Sequence, residues 1–301
     1  MKVLITGGTG FLGRALSTSL LADGHQVLAL SRRPEKARVP AGVEVVVWDG
    51  RTAAGWGSLI NEMDAVVNLA GRSLSSWPWT KAVKQEFWDS RIHAGRAVVE
   101  AVTGATRRPR MLVQSSGINH YGLRGDSADE STPPADDFLA RLTVGWEDST
   151  KPVEGMGVRR VVIRTAVVLG KGEGLLPLMS LPVQLFAGGP LGSGKQAMPW
   201  IHVADEIGAI RFLMENESAR GAFNLIAPAP TSSADFVRGL ARALHRPYWF
   251  PTPAFLLRLA LGEMSVLVVE GRYARPERLV ELGYRFQFEH LEDALADLYP
   301  Q

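Results

Sequence analysis

Val3-Leu4-Ile5-Thr6-Gly7-Gly8-Thr9-Gly10-Phe11-Leu12-Gly13 joins a short apolar run to a helical pattern led by Leu12, Leu16 and Leu20. Glycines at the first, fourth and seventh positions of the loop, Gly7, Gly10 and Gly13, let the chain turn tightly. They also admit a pyrophosphate against bare backbone and bring the helix close to the strand, its N-terminus facing the phosphates. A glycine triplet alone says little. This one lies where a first strand should end, and a second strand, Gln26 to Leu30, follows the helix after the helix-stopping Gly24. The stretch reads as the dinucleotide site of a βαβ unit, against the alternative of a tight turn that binds nothing.

Working outward, short apolar runs alternate with helical patterns over the first 170 residues: Val3 to Thr6, Val27 to Leu30, Val43 to Trp48, Ala65 to Leu69, Met111 to Ser115 and Val161 to Thr165. Continuous apolar strands separated by helices are what a sheet covered on both faces requires. The expected fold class is therefore α/β, a Rossmann-type doubly wound parallel sheet with a smaller C-terminal substrate lobe. Residues 1–170 are assigned to the nucleotide-binding domain, with part of the later chain returning to it, and residues 171–301 to the lobe. Between Gly170 and Gly194 a series of glycines and prolines breaks the periodicity and predicts a loop-rich segment. Beyond it, Ala204 to Met214 and Ser233 to Leu244 read as helices, Gly221 to Ile226 as a strand, and Pro251 to Val269 as one or two apolar helices.

Composition narrows the function classes. The 301 residues are 46% hydrophobic, ample for a packed core, with a net charge of only +2. That balance points to neither nucleic acid nor a membrane surface. The chain has no cysteine, which excludes disulfides, thiolate metal sites and a cysteine nucleophile, and its six histidines show no paired metal spacing. A strand beginning within three residues of Met1 leaves no room for a signal peptide, so cytoplasmic residence is the expectation, with a small-molecule substrate as partner. The apolar helices near the C-terminus could pair two copies or merely cover the lobe.

The end of the second strand discriminates between dinucleotides. Where an NAD site carries an acidic residue for the ribose 2′-hydroxyl, this chain has Ser31-Arg32-Arg33. A hydroxyl and a guanidinium fork bind a 2′-phosphate, so NADP (NADPH) is the expected cofactor, with Ser31 and Arg32 as its readers. The rival reading makes these arginines solvated loop charges. Asp49, after the third strand, is a candidate for the adenine edge or a turn residue before Gly50.

Taken together, these residues resemble the extended short-chain dehydrogenases/reductases, and more closely the atypical group of epimerase family proteins. The resemblance rests on Ile5-Thr6-Gly7-Gly8-Thr9-Gly10, Val67-Asn68-Leu69-Ala70-Gly71, Asp89-Ser90-Arg91, the run Arg164 to Gly170, the run Gly188 to Gly194, Trp200-Ile201-His202, and the tail from Pro251 through Gly283-Tyr284. It implies that Gly7, Thr9, Gly10, Phe11, Leu12 and Gly13 hold the pyrophosphate side of the cofactor and that Leu69, Ala70 and Gly71 border the adenosine ribose. Glu86 and Arg91 are expected to face the cofactor, against a surface ion pair as the alternative, and Val168 to approach the nicotinamide through its backbone.

The same resemblance exposes a departure. Superfamily catalysis uses a Tyr-x-x-x-Lys pair on one helical face, the lysine lowering the phenol pKa. On the helix Phe138 to Ser149 those positions hold Leu139 and Thr143, and no tyrosine precedes a lysine by four anywhere in the chain. Ser116, where the superfamily serine polarises the substrate oxygen, and Tyr121, as a substitute acid or a packing residue, are the catalytic candidates. His120, titrating in the useful range, is a further polar group of this loop; His202 reads as a cleft residue or a structural one, Lys195 as a ligand for an anionic substrate group or an exposed loop lysine, and Asp205 is expected to cap the helix that it opens. The implied function is an oxidoreductase or epimerase acting on a small carbonyl, hydroxyl or sugar-nucleotide-like substrate, with a non-catalytic NADP(H)-binding redox sensor as the alternative.

Overall fold

In the computed structural model, which describes residues 1–300, ten strands and ten α-helices follow one another. The main sheet uses β1 (Lys2–Thr6), β2 (Gln26–Ser31), β3 (Val43–Val47), β4 (Ala65–Asn68), β5 (Met111–Gly117), β6 (Arg159–Thr165) and the late β10 (Gly221–Leu225). Their order is β3-β2-β1-β4-β5-β6-β10 and every pairing is parallel. The chain leaves β1 toward β3 and returns to β4 on the other side. A crevice therefore opens at the carboxyl ends of β1 and β4, where ligands of such sheets bind.

Helices cover both faces, which is why the central strands are apolar on both sides. On one face α1 (Phe11–Ala22) and α5 (Val203–Glu215) bury Leu16, Leu20 and Ile210 against Val3, Ile5 and Ile163. On the other, α2 (Lys81–Gly104) packs Ala97 and Val98 on Leu4, Val66 and Leu112, beside α3 (Phe138–Asp148). Alternate residues of β1 thus go to opposite cores. Thr80 caps α2, accepting from Val83 N at 3.2 Å, and Asp137 caps α3, accepting from Ala140 N at 2.9 Å.

The remaining elements build a smaller layer. A three-stranded sheet of β7 (Val167–Gly170), β8 (Glu173–Gly174) and β9 (Trp200–His202) carries α4 (Leu176–Gln184) and α6 (Ser233–Ala243). Trp200, Phe236, Leu240 and Leu295 form its core together with α10 (Leu291–Leu298). The apolar tail divides into α7 (Ala254–Leu261) and α8 (Val266–Val269), followed by α9 (Glu277–Glu281). Met264, Val266 and Leu267 of the tail pack against the cluster of Trp79, Phe87, Leu139 and Leu142.

The loop-rich segment after Gly170 also contains a helix, α4, which forms despite its prolines. Pro177 sits in the first turn, where a missing amide costs nothing, and Pro182 lies near the end of the helix. Asp205, expected to cap α5, does not. That role falls to His202, whose Nδ1 accepts from Ala204 N at 3.1 Å. The fully buried Asp205 carboxylate instead accepts from Gln287 N at 2.8 Å, Phe288 N at 2.9 Å and Tyr284 Oη at 3.1 Å, fastening the tail to α5.

Asp205→Ala should therefore leave three buried donors unpaired and cost about 3 kcal/mol of stability. Urea unfolding would measure it, and a loss under about 1 kcal/mol would refute this role for the carboxylate.

Candidate dinucleotide site and cleft

Space dictates the glycine loop. Gly7 has a φ of 72°, and a Cβ there would stand 2.9 Å from the carbonyl of Leu69. A Cβ on Gly13 would stand 2.4 Å from the Gly7 carbonyl oxygen. The first turn of α1 can therefore lie on the loop only without a side chain. Gly10 N donates to Gly7 O at 2.9 Å and Gly10 O accepts from Arg14 N at 2.9 Å, so α1 begins at Phe11 with no side-chain cap and no acidic residue in its first turn. Helix geometry leaves the amides of Phe11, Leu12 and Gly13 without intrahelical partners, an anion-binding arrangement. The Phe11 ring lies against Gly170 and Gly174, tying the loop to the smaller layer, and Thr9 O accepts from Arg14 Nη1 at 2.6 Å.

A buried polar chain fixes the other rim. Thr6 Oγ1 donates to Asn68 Oδ1 at 2.5 Å, Asn68 Nδ2 to Gln114 Oε1 at 2.8 Å, and Gln114 Nε2 to Ser115 O at 2.6 Å. Ala70 N reaches Thr6 Oγ1 at 3.3 Å, so Leu69, Ala70 and Gly71 are held beside Gly7. Beneath them lies Arg91, only 7% exposed, its guanidinium against Gly71 and 4.7 Å from the Trp146 ring. Its Nη1 donates to the carbonyls of Arg72 and Phe87, both at 3.0 Å, and among the described residues it meets no carboxylate. Burial pushes its pKa down to about 10, which still leaves it charged at neutral pH. Glu86 does not pair with it; this exposed carboxylate meets Arg72 instead.

At the far end of the crevice Ser31 is buried and accepts from Arg33 N at 3.2 Å, while Arg32 is exposed with its stem over Gly50. Asp49 is occupied by its turn. It accepts from Thr52 N at 2.9 Å and Arg51 N at 2.7 Å, and these bonds hold its carboxyl below the usual range. Val168, half-buried on β7, pairs with Ile201 of β9.

Ser116 belongs to an internal hydrogen-bond network. Ser116 Oγ donates to Glu147 Oε1 at 2.7 Å, and Arg164 grips the same carboxylate through Nε at 2.8 Å and Nη2 at 2.9 Å. Burial pushes Glu147 up, but the Arg164 hydrogen bonds and charge outweigh it and leave the carboxyl below its ordinary value. Leu139 is buried in an apolar cluster and Thr143 donates to Ala140 O at 2.8 Å, so neither offers a proton to the cleft.

Tyr121, read as a substitute acid or a packing residue, lies inside the protein. It is 1% exposed, its hydroxyl donates to Asn224 Oδ1 at 2.7 Å and accepts from Arg164 Nη1 at 2.9 Å, and burial pushes its pKa up. The phenol is thus bonded within the interior, the arrangement of the packing reading. His120 is corrected as a group titrating in the useful range, since burial pushes the imidazole down to about 4 and keeps it neutral. His202 is buried against Phe288 with Nε2 3.3 Å from Asp297 Oδ2, and Lys195 is exposed on its loop.

One acid escaped the sequence reading. Glu206, fully buried near the start of α5, takes a 2.8 Å hydrogen bond from Thr165 Oγ1 on Oε1, while its Oε2 has no partner among the described residues. Burial pushes its pKa up to about 8, so it carries a proton at neutral pH. Thr165 is half-buried and ends β6 opposite Gly117 of β5. Sequence gave no signal for Glu206, because an acid in a first helical turn ordinarily faces solvent.

The chain belongs to the NAD dependent epimerase/dehydratase family, whose model matches residues 3–225; residues 252–298 match a domain of unknown function (DUF1731). Within that family it is similar to epimerase family protein YfhF of Bacillus subtilis, 39% identical over 99% of this chain and 98% of that protein. Epimerase family protein SDR39U1 of Homo sapiens is 34% identical over 99% of each chain. The crystal structure of the human SDR39U1 (isoform2) with NADPH superposes with a TM-score of 0.90 at 34% identity, covering 99% of both chains. A nucleoside-diphosphate sugar epimerase from Corynebacterium glutamicum matches with a TM-score of 0.78 at 27% identity, over 99% of this chain and 58% of that one.

Glu206 makes a pH prediction. Its folded pKa of about 8 lies above the ordinary 4.5, so the folded state binds the proton more tightly than the unfolded chain. The stability it lends is complete at acid pH and is lost as pH rises through about 8. Glu206→Gln cannot ionise and should gain on the parent between pH 5 and 9, by roughly 3 °C or more in Tm at the alkaline end. A Tm difference that stays constant across that range would contradict a protonated Glu206.

Proposed function

We propose that the chain binds NADPH in this crevice and acts as an oxidoreductase or epimerase on a small carbonyl or hydroxyl substrate. The observation that carries the cofactor reading is Arg91. A buried guanidinium with no carboxylate is costly unless an anion or polar ligand completes it, and this one lies under Gly71 at the rim of the loop. The open amides of Phe11, Leu12 and Gly13 fit a pyrophosphate, the backbone beside Leu69, Ala70 and Gly71 fits the adenosine ribose, and Ser31 with the exposed Arg32 fits a 2′-phosphate. Glu86 would reach the cofactor by turning from Arg72, and Val168 would offer backbone to the nicotinamide ring. The NADPH in the similar human structure supports the same choice.

Bound there, the cofactor supplies or accepts a hydride, and the chain's residues must orient the substrate and move one proton. In this reading Ser116 positions the substrate oxygen, braced by Glu147 and Arg164. Glu206 holds a proton at neutral pH and communicates with the strand ends through the Thr165 hydroxyl. It stands in for the absent phenol as a proton store, which favours turnover. The redox-sensing alternative draws on the sequestered Tyr121 and the missing Tyr-x-x-x-Lys pair.

Titration with NADPH and NADH, followed by nicotinamide fluorescence, tests the cofactor. Arg32→Ala should weaken NADPH about tenfold and leave NADH unchanged, whereas Arg91→Met should weaken both. No binding of either nucleotide would defeat the proposal. For turnover, NADPH oxidation is screened against carbonyl and sugar-nucleotide substrates. Ser116→Ala and Glu206→Gln should each reduce the rate at least about tenfold with cofactor affinity retained, and binding without oxidation of any substrate would leave the sensor reading.

A further inference from the structure

Large apolar side chains are exposed mainly on one lobe. Leu178, Leu181 and Leu185 form an outward stripe along α4 and its end, Phe186 follows, and Trp249, Phe250, Phe255, Leu256 and Leu259 continue it along the loop before α7 and α7 itself. The two segments touch: Trp249 Nε1 donates to Phe186 O at 2.9 Å, and the amides of Trp249 and Phe250 both bond Gly188 O. Helix α7, Ala-Phe-Leu-Leu-Arg-Leu-Ala-Leu, has no buried residue, and Leu259 is 83% exposed. A helix this apolar is normally covered. At about 150–250 Å² per aromatic side chain, Trp249, Phe250 and Phe255 alone expose roughly 400 Å², already the size of the largest patch on an ordinary monomer.

Charge says what covers it. No Asp or Glu occurs from Gly174 to Ala204 or from Phe236 to Gly262, while these stretches hold Lys195, Arg238, Arg242, Arg246 and Arg258. The flanking acids are already taken: Glu173 by Arg14, Asp235 by Arg238 at 2.7 Å and Glu263 by Lys84 at 2.6 Å. Arg242, Arg246 and Arg258 are exposed and pair with no carboxylate among the described residues, and the Arg246 guanidinium stands 4.7 Å from the Phe186 ring. Phe186 and His245, the two non-glycine residues with positive φ among those described, at 63° and 53°, both lie in this patch. A second copy pairing through the same face would set arginines against arginines, because a two-fold interface matches a patch with itself. An anionic lipid surface satisfies both properties: aromatic rings enter the headgroup boundary and arginines stay at the phosphates. No helix among the described residues is long and apolar enough to cross a membrane, so the contact is one of docking.

We propose that α4, the loop before α7 and α7 form a docking surface for an anionic phospholipid bilayer. The test is flotation of the full chain with vesicles of phosphatidylcholine containing phosphatidylglycerol, against phosphatidylcholine alone. Binding is expected to the anionic vesicles, weakening as salt rises. Arg246→Ser with Arg258→Ser should lower it about 25-fold, at about fivefold per arginine. Phe255→Ser with Leu259→Ser should abolish it while leaving the far-ultraviolet circular dichroism and NADPH titration unchanged, because these side chains are exposed. No flotation with anionic vesicles, or flotation indifferent to the arginines, would overturn the proposal. So would a dimer in analytical ultracentrifugation that the Phe255 and Leu259 substitutions dissociate, since a second copy would then be the occupant.

Discussion

The contact of α1's first turn with the Gly7 carbonyl is the constraint on which the rest of the crevice depends. With no Cβ on Gly13, the helix sits low enough for its amides to face the space above β1, and Gly7 in turn sits low enough to touch the carbonyl of Leu69. That second contact sets the height of the Leu69–Gly71 backbone, and Gly71 rests on the Arg91 guanidinium. A chain of close approaches thus runs from the first helix to a buried cation on α2. Raising any member by one methyl group would push apart surfaces on opposite sides of the switch point between β1 and β4. Glycine here is a spacing device before it is a ligand-binding one.

The parts of this architecture with short sequence range were legible in the chain. The six early strands, Gly221–Leu225 and the helix after the glycine loop follow from apolar periodicity and turn residues, which act over a few positions. The apolar tail was legible as helical, while its division near Gly262 was left open between one helix and two. What could not be read depends on partners distant in sequence. Asp205 looks like a cap because a carboxylate at the start of a helix usually is one; its real donors come from Tyr284, Gln287 and Phe288, some eighty residues later. Tyr121 looks like an available phenol until Arg164 and Asn224 enclose it from two other strands.

The same limit hides charge. A net +2 describes a nearly balanced chain, and averaged over the surface it argues for no charged partner. Folding separates what the average combines. The acids flanking the apolar lobe turn toward Arg14, Lys84 and Arg238, which leaves the lobe's other arginines without counter-charges among the described residues. Net charge bounds solubility, whereas local charge on an apolar face bounds partners, and only the three-dimensional arrangement gives the second.

Leu139 and Thr143 hold the places of the tyrosine and lysine, and the polar network of the cleft lies on other residues. In the usual arrangement a lysine lowers the pKa of a phenol that faces substrate. Here the cation is Arg164, on β6 and not on α3, and it is already committed to Glu147 and to the Tyr121 hydroxyl. A guanidinium gripping a carboxylate bidentately holds that carboxylate ionised and cannot itself give up a proton at any physiological pH. The cluster under Ser116 is therefore rigid and charge-neutral, suited to orienting a hydroxyl and unsuited to proton transfer. Glu206, bonded at the same strand ends, is the contrasting case. It is buried with a single hydrogen bond among the described residues, from Thr165, and burial outweighs that bond and keeps its proton on.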